Sequence, residues 1–301
     1  MRSLSAGDRA ATPATARRRG GRAAFALLPF GVLITAFLLI PTVSLLWGSF
    51  HDSRTGAFTL GNYSYLSHPL DLVPFRNSLE LSLASTIVGG IFGLLIAQAI
   101  VSSRRPLIQE IATTFSSVAA NFAGVPLAFA FIATLGAQGL VTRQFFNVTH
   151  FDLYIDGGFK LYSVLGLTIV YAYWEIPLMV LVMLPPLQAM KASWREAAEI
   201  LGASKWQYMR SVAIPILFTP VVSSLLLLYA NAFGAYATAY GLTTGFIPLV
   251  PIEISNLING DVNHDPGAAD ALAMGLAVIM AICIGGRVLL ERRSSKWLAS
   301  R

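Results

Sequence analysis

The chain has 301 residues, of which 55% are hydrophobic and only 12% charged, and its net charge is +6. Soluble domains carry about 25% charged residues, so the composition excludes an ordinary water-facing globule and fits a bilayer as solvent. The only cysteine, Cys283, rules out an internal disulfide framework and a Cys/His metal spacing. The basic residues flank apolar runs instead of interleaving with aromatics, which argues against a nucleic-acid partner.

Residues 1–24 are polar and Ala/Arg-rich and read as a disordered basic tail. Arg17-Arg18-Arg19 precede an apolar run, as in a secretory signal. The run at 25–47 exceeds the roughly 7–15 residues of a signal core, however, and no small-residue cleavage site follows, so it reads as a retained first span. Its Pro29 and Pro41 are tolerable where neighbouring helices re-satisfy the backbone. Five more apolar runs follow, at 78–101, 112–136, 161–184, 216–241 and 269–290. Each is long enough to cross a core of about 30 Å at about 1.5 Å per residue. The expected fold is therefore all-α: a polytopic membrane protein with six transmembrane helices over residues 25–298.

Placing the N-terminus inside puts seventeen Lys and Arg residues in the inner segments and four, Arg54, Arg76, Arg143 and Lys160, in the outer ones. Cytoplasmic loops carry the excess of Lys and Arg, so both termini are expected in the cytoplasm. His51, His68, His150 and His264 all fall in polar connectors and read as solvated.

Small residues at spacing four mark helix contact faces in lipid. The second run has Gly89, Gly93 and Ala97 in this register; the fifth has Ala230, Gly234, Ala237 and Gly241. A neighbouring stripe of the fifth carries Tyr229, Phe233, Tyr236 and Tyr240, which either pack or line a pathway. Polar residues at depth are costly and mark function or pairing. Glu175 in the fourth run is the foremost case, with Asn231, Asn121 and Gln98 as weaker ones. Glu175 could hold a cationic substrate, pair with a neighbouring subunit or bond a backbone carbonyl.

Between the fourth and fifth runs, at about 187–215, the pattern changes. Glu196 and Glu199 sit one turn apart among Arg195, Lys205 and Arg210. A helix lying on an anionic leaflet would show a clean basic face instead. Gly202-Ala203-Ser204 marks a break between two short helices, and Pro215 suits the first turn of the fifth span. Glu196-Ala197-Ala198, three residues, Gly202, nine residues and then Val212-Ala213-Ile214-Pro215 resemble the E-A-A loop of permease subunits of type I, binding-protein-dependent ABC importers, with Val for Ile and Ile for Leu as the departures. The resemblance extends over residues 25–298 and implies a MetI-like fold.

It further implies that Glu196, Ala197, Ala198, Gly202 and Pro215 belong to a segment that couples to an ATPase. The segment would fit a cleft on a cytoplasmic ATPase dimer, with Glu196 against a basic residue there. ATP and Mg would be bound by that partner, with no cofactor on this chain. A second permease subunit, an extracytoplasmic solute-binding protein and a bacterial inner-membrane location are implied as well. No G-x-x-x-x-G-K-[ST], H-E-x-x-H or G-x-S-x-G is present, so the chain is not expected to be an enzyme.

Residues 229–238, Gly260-Asp261-Val262 and Phe58-Thr59-Leu60-Gly61-Asn62-Tyr63 resemble permeases of the polyamine, opine and phosphonate group, whose systems commonly have two distinct permeases, which favours a different chain over a second copy as the partner permease. A polyamine-like or phosphonate-like cargo is the expectation on that basis. Glu175, Tyr229, Asn231, Tyr236 and Tyr240 are then the candidates for the pathway, a carboxylate with aromatic faces suiting ammonium groups. Sugar, sulfate and ferric-iron permeases share the layout. An ion-gradient-driven transporter would favour more intramembrane acids and inverted repeats.

Overall fold

The computed structural model describes residues 28–67, 72–103, 105–260 and 265–299. The basic tail at 1–24 and the Asp261-Val262 pair lie outside them. Among the described residues the chain is helical, with one isolated bridge between His51 and Phe58. The helices are α1 (Leu28–Ser49), α2 (Val73–Ser102), α3 (Pro106–Asn121), α4 (Val125–Leu135), α5 (Leu140–Thr149), α6 (Val164–Gln188) and α7 (Ala192–Ile200). Then come α8 (Lys205–Phe233), α9 (Ala237–Thr243), α10 (Val250–Asn259) and α11 (Pro266–Ala299). Six helical stretches are long and apolar enough to cross a membrane.

The bundle is built on α2 and α6, with α3, α8 and α11 added around them and α1 packed on α11. Gly89 and Gly93 on α2 face Glu175, Ile176 and Met179 on α6, so the small-residue register of the second span is a contact face. One buried cluster near the 192–204 loop joins Ala97, Ile100, Met179, Val180, Met183, Leu187 and Leu228. A second, towards the other end, joins Leu81, Leu127, Leu167, Tyr171, Trp174, Leu242 and Ile252.

Two expected spans are not single helices. The run at 112–136 is divided at Phe122–Gly124, because Pro126 removes a backbone donor and disfavours helical geometry just before it. The run at 216–241 ends as a helix at Phe233 and resumes as α9. The stripes expected along the fifth span therefore do not continue along one helix.

Pro215 lies in the first turn of the α-helical part of the fifth span, Ile214–Phe233, as expected, but the helical stretch continues back to Lys205. A π turn at Met209–Ala213 absorbs the proline: Ile214 donates to the Met209 carbonyl, five residues back. The same device precedes Pro41 in α1, where Ile40 donates to Thr35 across a π turn at Thr35–Leu39. In an α-helix each proline would orphan and crowd the carbonyl four residues earlier; the wider turn relieves this.

Candidate functional site

The loop segment is a rigid corner. Helix α7 ends in a Schellman motif: the Ala203 N–H donates to Ala198 O (2.9 Å) and the Gly202 N–H to Glu199 O (3.0 Å). This geometry requires Gly202 at φ +76°, the left-handed region. Two residues on, Ser204 opens α8 with a capping box. Its Oγ accepts from the Gln207 N–H (3.2 Å), and its own N–H donates to Gln207 Oε1 (2.7 Å). One short helix and the start of a long one thus meet at a fixed angle, where two short helices were expected.

The corner projects apolar side chains. Ile200, Leu201 and Trp206 are 85%, 86% and 68% exposed. Large apolar residues grouped on a protruding turn mark a partner surface. Glu196 is exposed and makes no ion pair among the described residues, whereas Glu199 accepts from Arg195 at 2.9 Å. Ala197 is exposed and Ala198 half-buried, while Pro215 lies on the membrane side of the π turn. The apolar tip is legible in the sequence as Ile200-Leu201 within a charged stretch.

At the other end the two helix breaks lie side by side, since α4 packs on α9. Each break has its freed backbone groups satisfied from another helix. Thr238 Oγ1 accepts from the Gly124 N–H (2.8 Å), and the Tyr171 hydroxyl donates to Ala235 O (2.8 Å). Irregular backbone at membrane depth survives only with such partners or beside a cavity. Asn121, Asn231 and Tyr240 are exposed near these breaks, and Phe122 meets Tyr173 edge-on at 6.4 Å.

The five residues expected to line a pathway are not brought together. Glu175 is fully buried against Gly89 in the α2–α6 interface. Neither carboxyl oxygen has a hydrogen bond of good geometry among the described residues; the Ser85 hydroxyl lies beside the carboxyl and donates to Ser82 O (3.3 Å). Tyr229 lines an apolar groove of about 500 Å³ between α2 and α8. Tyr236 bonds Ser255 Oγ of α10 (3.1 Å) and stacks on Tyr240 at 5.2 Å. Only Asn231 and Tyr240 remain exposed at the breaks.

Residues 82–296 match the family model described as "Binding-protein-dependent transport system inner membrane component". A probable sulfate transport system permease protein cysT of Zygnema circumcarinatum is 26% identical over 275 residues, covering 89% of this chain and 88% of that protein. The sulfate transport system permease protein CysT of Escherichia coli K12 is 25% identical over 58% of this chain and 60% of its own length. The thiamine transport system permease protein ThiP of the same organism is 24% identical over 89% of this chain and 46% of its own length. The fold matches a chain of a bacterial ABC transporter involved in the import of alginate, with TM-score 0.67, 17% identity, and coverage of 92% of this chain and 96% of that one. These relatives fit the sulfate alternative and give no support to the polyamine, opine and phosphonate expectation. The chain is an integral, multi-pass membrane protein and belongs to the inner-membrane components of binding-protein-dependent transport systems.

Proposed function

We propose that the chain is the permease subunit of an ATP-driven importer and that the corner at 192–206 carries the motion of a separate ATPase subunit into the bundle. The observation that carries this reading is the exposed tip of Ile200, Leu201 and Trp206, set on two adjoining capping motifs beside Glu196, which has no ion pair among the described residues. A push on such a corner is transmitted into α8, because α8 is continuous from Lys205 to Phe233. ATP and Mg belong to the partner, the termini and the corner face the cytoplasm of a bacterial cell, and a second permease and an extracytoplasmic binding protein complete the assembly. One neighbour by fold is described as a transporter in complex with a periplasmic protein bearing an alginate pentasaccharide, with TM-score 0.70 and 16% identity.

The cargo we propose is a small oxyanion, with sulfate first, as in the names of several relatives. The burial of Glu175 supports this, because a carboxylate turned into the α2–α6 interface presents no charge to an anion. Uncharged Asn121, Asn231 and Tyr240 beside the two breaks then offer donors to the passing ion. Thiamine, the cargo named for ThiP, is the second reading.

The test is reconstitution of the complex in liposomes, with ATP-driven uptake of radiolabelled sulfate and thiamine followed beside ATPase activity. Glu196→Arg should leave membrane insertion intact and abolish the stimulation of ATP hydrolysis by loaded binding protein. A well-assembled Glu196→Arg complex with normal uptake refutes the coupling role. Uptake of thiamine but not sulfate replaces the cargo.

A further inference from the structure

Behind the corner, on the side away from its apolar tip, lies a cavity of about 480 Å³ between α7 and the loop ends of α2, α6 and α8. Ile200, Leu201, Trp206 and Glu196 do not line it, so it lies on a different face of the corner from the apolar tip assigned to the ATPase. Its rim carries Lys191, Arg195 and Lys205 against one acid, Glu199. Arg195 is held by Glu199, while neither lysine makes an ion pair among the described residues. The excess of two positive charges therefore sits on the lysines.

The cavity changes character with depth. Val101 and Leu187, at the loop ends of α2 and α6, and Leu217, further along α8, give the wall its apolar surface, and Gln98 of α2 is a polar group on it. From Lys205 to Leu217 along α8 is twelve residues, about 18 Å at 1.5 Å per residue. A charged rim at the helix ends, with the apolar residues Ala213 and Leu217 of α8 leading from it into the span, suits a molecule with an anionic head and an apolar tail. Basic pockets between helix ends at the membrane surface bind anionic headgroups. A cavity of about 480 Å³ has room for a glycerophosphate head.

We propose that this cavity binds the headgroup of an anionic phospholipid, with Lys191 and Lys205 on the phosphate and the acyl chains lying along α8. The bound lipid fills the space between the corner and the bundle, and so stiffens the lever through which α7 acts on α8. The site does not depend on the identity of the cargo, and lipid binding is measured independently of coupling.

The full chain is placed in nanodiscs of phosphatidylcholine containing a small fraction of phosphatidylglycerol, and co-purifying lipid is counted by native mass spectrometry. With about 1 kcal/mol for each lysine near an anionic head and 1.4 kcal/mol per factor of ten, the Lys191→Gln/Lys205→Gln variant should retain phosphatidylglycerol about thirtyfold more weakly. Arg210→Gln, a neighbouring exposed charge outside the cavity, should leave retention unchanged. Equal retention by wild type and the double variant, or an equal loss with Arg210→Gln, overturns the proposal. Displacement of the lipid by millimolar inorganic phosphate or sulfate would assign the cavity to a free anion instead.

Discussion

Replacing Gly93 by alanine probes the contact on which the bundle is built. A Cβ at this position would lie 2.5 Å from Met179 Cβ, 2.7 Å from the Ile176 carbonyl oxygen and 2.9 Å from Met179 Cγ. Carbon atoms rest at about 3.5–4.0 Å, so α2 and α6 must separate by about 1 Å. No rotamer change avoids this, because two of the obstacles are a backbone oxygen and a β-carbon. Overpacking of this kind costs about 1–3 kcal/mol, or about 5- to 150-fold in the folded population at 1.4 kcal/mol per factor of ten. The assay is thermal denaturation in detergent followed by size-exclusion chromatography. The reference variant is Gly31→Ala, whose new methyl would meet nothing within 4 Å. Gly89→Ala, 2.7 Å from Glu175 Cβ, should be destabilising alone but less than additive with Gly93→Ala, because the first substitution has already parted the helices. Gly93→Ala at or above wild-type stability would refute the close-contact argument.

Gly202→Ala meets no neighbour, but it places a side chain at φ +76°. The left-handed cost of about 1–2 kcal/mol should fall on the corner alone, so coupled uptake should drop while the denaturation midpoint stays put; a lowered midpoint would contradict that local role. Thr238→Val removes the acceptor for the part-buried Gly124 N–H at the helix break, which should cost about 1 kcal/mol, the low end for a donor left unpaired; unchanged thermal stability would show that the two breaks do not support each other. Glu175→Gln keeps volume in a fully buried site, so stability should change by less than about 1.5 kcal/mol and uptake should be retained. Loss of uptake with assembly intact would return Glu175 to the pathway.

Much of the architecture was legible in the residues because hydropathy and charge act locally. A run such as 161–184 must be a helix in lipid whatever surrounds it, since no other conformation satisfies its backbone. The E-A-A segment was legible for a similar reason: Gly202 and Ser204 dictate their own turn through the Schellman motif and the capping box, between Ala198 and Gln207. The breaks in the third and fifth spans were not. Apolar composition continues across Phe122–Gly124 and Gly234–Tyr236, and what makes those breaks tenable are Thr238 and Tyr171, 114 and 64 residues away from the groups they satisfy.

By itself, then, the sequence determined the solvent, the helical class, the apolar runs and the family, because each follows from local composition or a short motif. The tertiary structure decided which faces meet. It turned Glu175 inward against Gly89, split the tyrosine stripe between an apolar groove and a hydrogen bond to Ser255, and set Lys191 and Lys205 on the rim of a shared cavity. Facing depends on the rotation and breakage of helices packed against distant parts of the chain, and no local pattern encodes that.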